Sequence, residues 1–138
     1  MDEKIFLDMN LTIDGMGIVF YSDGAVKNIS EGEDFFSREY EDEEKVAEHI
    51  KKGDIVGFCT GSGGNCILKF INGYPSSKID EEYPISIRLG ILIEGGRLFV
   101  KDIFSLMDWT KDCPENQQLK INDGVYYITL KLEKYMDF

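Results

Sequence analysis

The residues with the most suggestive spacing lie between positions 31 and 44. Glu31, Glu33, Asp34, Glu39, Glu41, Asp42, Glu43 and Glu44 crowd this stretch against the single Arg38, and Phe35, Phe36 and Tyr40 are interleaved with them. Aromatic side chains supply desolvated anchoring area, and an acidic field around them steers a cationic partner. The pattern therefore suits a surface that binds a basic protein. It also suits a solvated helix start whose aromatics turn inward to cap the core, because acidic residues favour helix N-termini for dipole reasons.

Other candidate chemistries lack a residue they need. Thr60-Gly61-Ser62-Gly63-Gly64-Asn65 has the glycines of a phosphate-binding loop. That chemistry requires a helix after the glycines and a Lys-Ser or Lys-Thr pair, whereas Cys66 to Ile71 reads as a strand. A flexible turn explains the glycines better. His49 is the one histidine, with Lys45 and Lys52 as helix neighbours and no obvious carboxylate to orient it, so a solvated helix histidine is expected. A carboxylate pair for glycoside cleavage has no specificity among 26 acidic residues. No Asp-x-Asp-x-Asp-Gly calcium loop occurs, and Glu31-Gly32-Glu33-Asp34 imitates one only weakly. The spacing of Cys59, Cys66 and Cys113 does not form a zinc site. No cofactor and no catalytic set are expected, and the chain is read as a non-enzyme.

Bulk charge points the same way. Lys plus Arg number 15 against 26 Asp plus Glu, a net charge of −11 over 138 residues. Such a surface repels nucleic acid and anionic membranes, and attracts basic proteins. It also keeps a protein soluble whatever its task. Hydrophobic residues make up 43% of the chain, enough for one domain spanning residues 1–138 with a real core. The sequence shows no secretory leader and no apolar run of membrane-spanning length, so a cytoplasmic protein of bacterial type is expected. An odd cysteine count argues against a disulfide framework.

The elements that position these residues follow from periodicity. Ile5, Leu7, Met9, Leu11 and Ile13 alternate as a half-buried strand, and Ile18 to Tyr21 reads as its return. Lys27 to Tyr40 has no clean period and reads as an irregular connection with room for one short strand. Asp42 to Lys52 reads as a helix, with acids at its start, Lys51 and Lys52 at its end, Gly53 after it, and Val46 and Ile50 as its apolar stripe. Further strands are expected at Asp54–Cys59, Cys66–Ile71, Ile85–Ile93, Arg97–Val100, Leu119–Ile121 and Tyr126–Leu132. Glycine turns at 15–17, 61–64, 95–96 and 124 predict hairpins between consecutive strands, with Cys59 and Cys66 facing each other across one of them. The sum is a mainly β protein: an antiparallel two-sheet β-sandwich with one short helix, about residues 42–52. A partly open barrel is the alternative. Exposed edge strands make a homodimer possible.

Two stretches carry a family resemblance. One is Lys51-Lys52-Gly53-Asp54-Ile55-Val56-Gly57-Phe58. The other runs from Tyr83 through Ile85-Ser86-Ile87-Arg88-Leu89 and Glu94-Gly95-Gly96-Arg97-Leu98-Phe99-Val100 to Leu119-Lys120-Ile121-Asn122-Asp123-Gly124-Val125-Tyr126. Their order resembles the bacterial competence protein J group, inhibitors of a DNA-entry nuclease, and is similar to immunity-type β-sandwich proteins. The resemblance implies an inhibitor that blocks a nuclease or toxin. Nuclease sites are basic because they hold phosphates, so an acidic surface can compete for them. The competing expectation is an accessory sandwich for a sugar or small molecule, with Trp109 and Tyr74 lining its pocket.

Overall fold

The computed structural model describes residues 6–13, 17–59, 64–71 and 85–132. They form eight strands: β1 (Phe6–Ile13), β2 (Gly17–Tyr21), β3 (Ile55–Cys59), β4 (Gly64–Ile71), β5 (Ile85–Ile93), β6 (Arg97–Asp102), β7 (Gln118–Lys120) and β8 (Gly124–Leu132). One α-helix, α1 (Glu43–Lys52), lies between β2 and β3. No helix among the described residues is long and apolar enough to cross a membrane.

All strand pairs are antiparallel. A four-stranded sheet has the order β3-β2-β6-β7, and two ladders, β1-β4 and β5-β8, stand apart from it. Both ladders cover the same face of the four-stranded sheet. Met9, Leu11 and Ile13 of β1 and Ile91 and Ile93 of β5 pack with Ile18, Phe20, Leu98, Val100 and Leu119 in one buried cluster. The protein is thus a mainly β, sandwich-like fold with one helix, and the alternating runs lie in the strands expected of them.

The pairing differs from expectation. None of the short links β1–β2, β3–β4, β5–β6 or β7–β8 joins two paired strands. Phe6 of β1 lies opposite Ile71 of β4, and Ile85 of β5 opposite Leu132 of β8. Cys59 lies opposite Gly17 and Cys66 opposite Leu11, in different ladders, so the two cysteines do not face each other across a hairpin. All five residues of β2 are buried, which places the four-stranded sheet in the middle of the molecule. In the described links, β5 to β6 and β7 to β8, the chain arches between the layers, and a short glycine link serves an arch as well as a hairpin. Residues 14–16 and 60–63, in the other two links, lie outside the described residues. In a third link Gly95 and Gly96 take φ of 111° and 78°, and both amides donate to Asp123 Oδ1, at 3.0 and 2.7 Å. Asn122-Asp123-Gly124, expected to turn a hairpin, instead holds a neighbouring arch in place.

Among the described residues, no strand lies over the second face of the four-stranded sheet. Val19, Tyr21, Ile55 and Phe99 pack against Phe35, Tyr40, Leu106 and Trp109, which come from irregular segments. The stretch expected to be irregular contains no strand. It holds a π-helical turn at Phe36–Tyr40, and a 3-10 turn at Asp23–Val26 precedes it. The two covering segments are stitched together: Gly32 N–H donates to Trp109 O at 2.7 Å, and Trp109 N–H to Glu33 O at 3.0 Å.

Helix α1 matches its sequence signals. The Asp42 carboxylate accepts from Glu44 N–H at 2.9 Å as an N-cap. Gly53 closes the helix at φ 70°, donating to His49 O and Ile50 O. Gly53 O then accepts from Leu92 N–H at 2.7 Å, which docks the helix end on β5. A side chain at Gly53 would also come within 2.9 Å of Gly90 O.

Candidate functional site

The acidic tract divides into an inward and an outward part. Phe35 and Tyr40 are buried, at 2% and 8% exposure, and Phe36 is half-buried. The Tyr40 hydroxyl donates to Ile55 O at 2.7 Å, and a Cβ on Gly57 would lie 3.0 Å from its ring. Burial raises the Tyr40 phenol well above its ordinary pKa. These aromatics therefore anchor the covering segment to the sheet. Phe35 and Tyr40 are core residues: a π-turn flanked by apolar sheet residues gains more from burying them than from leaving them in water.

The carboxylates stay outside. Glu31, Asp34, Glu41, Asp42, Glu43 and Glu44 are exposed, and Glu33 and Glu39 are half-buried. Nearby cations are spent on the half-buried pair. Arg38 Nη1 sits 2.5 Å from Glu33 Oε2, and Lys45 Nζ lies 3.7 Å from Glu39 while donating to Arg38 O. Among the described residues no cation pairs with Glu41, Asp42, Glu43 or Glu44. Asp34 is held below the usual carboxylate range by the Ser37 amide and hydroxyl. Glu31 is likewise lowered, first by the Lys111 N–H that it accepts at 2.8 Å and then by the Thr110 hydroxyl. Glu31 thus serves a structural task and tethers the loop after Trp109.

His49 is not the solvated residue expected. Its side chain is 15% exposed, its Nδ1 lies 2.9 Å from Asp54 Oδ1, and its Nε2 lies 4.0 Å from Glu39 Oε1. The ring sits beside Phe35 and Tyr40. The carboxylate partner escaped sequence reasoning because Asp54 follows the Gly53 cap, which folds the chain back toward the last helical turn.

A second group was missed altogether. Lys101 on β6 shares strand parity with Phe99, and so points into the aromatic core; this parity was the available signal. The residue is 4% exposed. Its ammonium stands 4.5 Å from the centre of the Trp109 ring and 5.9 Å from that of Tyr21, and donates to Thr110 O. Burial lowers its pKa, against the opposing pull of Cys113, Glu31 and Asp112. Burial likewise raises the Cys113 thiol, which argues against a reactive thiolate. Lys101 forms part of the wall of a groove of about 410 Å³, together with Thr12, Ser105, Thr110, Asp112 and Gln117. Trp109, expected to line a pocket, is 2% exposed and packs edge-on against Tyr21. Tyr74 lies outside the described residues. Among the described residues, no group of three or more His, Cys, Asp or Glu is arranged to hold a metal.

No family model and no curated protein matches this chain. Among solved structures, crocagin biosynthetic gene J is similar, with a TM-score of 0.54 at 12% identity over 93% of this chain and 77% of that one. The likeness is one of fold. The expected membership of the competence protein J group is overturned, because the comparisons lead to a different protein and to none of that group or of the immunity-type proteins. The order of strands, helix and glycine turns that carried the resemblance is common to antiparallel sandwiches, where turn chemistry and alternation recur without kinship.

Proposed function

We propose that this chain is a non-catalytic binding protein whose acidic face masks a basic protein, a nuclease or toxin, in the cytoplasm. One observation carries the proposal: Glu41, Asp42, Glu43 and Glu44 are consecutive, exposed and, among the described residues, without a paired cation, while Arg38 and Lys45 are committed to Glu33 and Glu39. The helix dipole and the Asp42 cap account for part of this charge. They do not account for four adjacent carboxylates that repel one another. The buried Phe35 and Tyr40 give the acidic stretch a rigid seat, so that its field reaches a partner in a fixed geometry. A basic phosphate-binding site is the complementary surface. The cytoplasm suits a chain with an odd number of cysteines, since thiols stay reduced there.

The test is association kinetics with basic nucleases or toxins encoded beside this gene, at low and physiological salt. Reversal of Glu41, Asp42, Glu43 and Glu44 to lysine should slow association by about tenfold or more and flatten its salt dependence. An unchanged on-rate would remove the acidic tract as the recognition surface.

A further inference from the structure

We propose that the groove over Lys101 is a binding site for a small monocarboxylate whose far end is neutral or cationic. The inference is independent of the acidic face. It starts from a buried charge on which Glu31 and Asp112 act only from beyond ion-pair distance. Lys101 is almost fully buried, yet among the described residues no carboxylate reaches ion-pair distance of its ammonium, and its hydrogen-bond acceptor is the Thr110 carbonyl.

An ammonium carries three donors, and one carbonyl cannot neutralise it. Taking an ion out of water is expensive even after relaxation. If the residue served only to staple Thr110, a neutral donor at this position would do so without burying charge. The Trp109 face offsets part of the penalty by a cation–π contact but offers no hydrogen-bond acceptor. A carboxylate at the base of the groove would supply both the missing charge and the missing acceptor.

The surroundings set the rest of the ligand. The groove volume of about 410 Å³ lies within the ordinary range for small-molecule sites. Ser105 and Thr110 add polar walls. Asp102 and the exposed Asp112 also line the groove, so they repel a second anionic group and favour a cationic one. A second buried polar group lies in the same cluster. The Tyr21 hydroxyl, 2% exposed as a residue, has no hydrogen-bond partner among the described residues, and its ring is within 5.9 Å of the ammonium.

Trp109 is the chain's one tryptophan, so its fluorescence reports on the Lys101 end of the groove without labelling. The full chain would be titrated with benzoate, 4-(aminomethyl)benzoate, phthalate and benzamide, following both fluorescence and thermal midpoint. Benzoate and 4-(aminomethyl)benzoate should saturate in the millimolar range, the affinity open to ligands of about ten atoms. Benzamide and phthalate should bind about tenfold more weakly or not at all. Lys101→Met should lose benzoate affinity by a similar factor. Ser105→Leu, which keeps the lysine and narrows the groove, should weaken benzoate as well. Equal binding of benzoate and benzamide, absence of saturation to about 20 mM, or undiminished benzoate affinity in Lys101→Met would overturn the site. Should Lys101→Met fail to fold, the four-ligand series on the unaltered chain and on Ser105→Leu decides.

Discussion

The two faces of the four-stranded sheet are built on different principles. Ile18, Phe20, Leu98 and Val100 look toward two ladders of regular strands and meet a nearly pure aliphatic layer. Val19, Tyr21, Phe99 and Lys101 look toward irregular backbone, and there five of the eight buried cluster residues are aromatic, with the buried Lys101 beside them. Regular strands satisfy their own amides, so their cover needs only shape and hydrophobicity. An irregular cover must find partners for its backbone groups, as Thr110 O does in the Lys101 ammonium and Trp109 O in the Gly32 amide. Both the acidic tract and the Lys101 groove belong to that second side. The difference teaches that the aliphatic face is held by shape and hydrophobic burial, while the aromatic face is held by specific contacts.

The sharpest way to break this contrast is a pair of substitutions, one on each face. Trp109→Ala removes the largest side chain of the aromatic face, which is 2% exposed, and should cost about 3–5 kcal/mol in urea unfolding. Ile91→Val, trimming one methylene from the aliphatic face, should cost about 0.5–1.5 kcal/mol. Comparable losses would mean that the irregular cover contributes little and that the ladders alone set stability.

A finer pair lies within the aromatic face. Tyr40→Phe deletes a buried hydrogen bond and should cost about 1 kcal/mol. Tyr21→Phe removes a hydroxyl that has no partner among the described residues, and should change stability by less than about 0.5 kcal/mol, or raise it. Equal losses would show that the Tyr21 hydroxyl is satisfied in solution.

The smallest effect is a pH trend. Burial lowers the Lys101 pKa, so the folded chain gives up this proton at lower pH than the unfolded chain, whose lysine titrates near its ordinary value of about 10.4. Between those two values the unfolded state binds more protons, and the contribution of Lys101 to stability rises with pH. The stability of the unaltered chain relative to Lys101→Met should therefore increase as the pH rises toward the ordinary lysine value of about 10.4, measured by denaturant unfolding. A constant difference would place the ammonium in better contact with water than its burial implies.

The strands were legible because alternation survives in any antiparallel sheet: Ile85 to Ile93 and the run ending at Ile13 declare their period without reference to a partner. Helix α1 was legible from Asp42, the terminal lysines and Gly53, all local signals. Strand pairing was not, because Gly95-Gly96 and Asn122-Asp123-Gly124 have the same composition whether they turn a hairpin or an arch. Of the candidate site, the acidic residues were legible as charge. The inward turn of Phe35 and Tyr40 was left open, since a π-turn has no periodic signature. Lys101 was passed over because a lysine in a strand ordinarily faces water, and only the parity it shares with Phe99 says otherwise.

The arches between layers also govern the order in which this chain can assemble. In a meander, each strand meets its partner as soon as the next turn is made. Here β1 waits for β4, and β5 waits for β8 at the far end of the described chain. Loop closure must precede those contacts, which puts the protein among slow, high-contact-order folders, on a scale of about milliseconds to seconds. On the ribosome, β5 has no ladder partner until Gly124 to Leu132 emerge. Until then Ile91 and Ile93 wait for the strand that completes their layer.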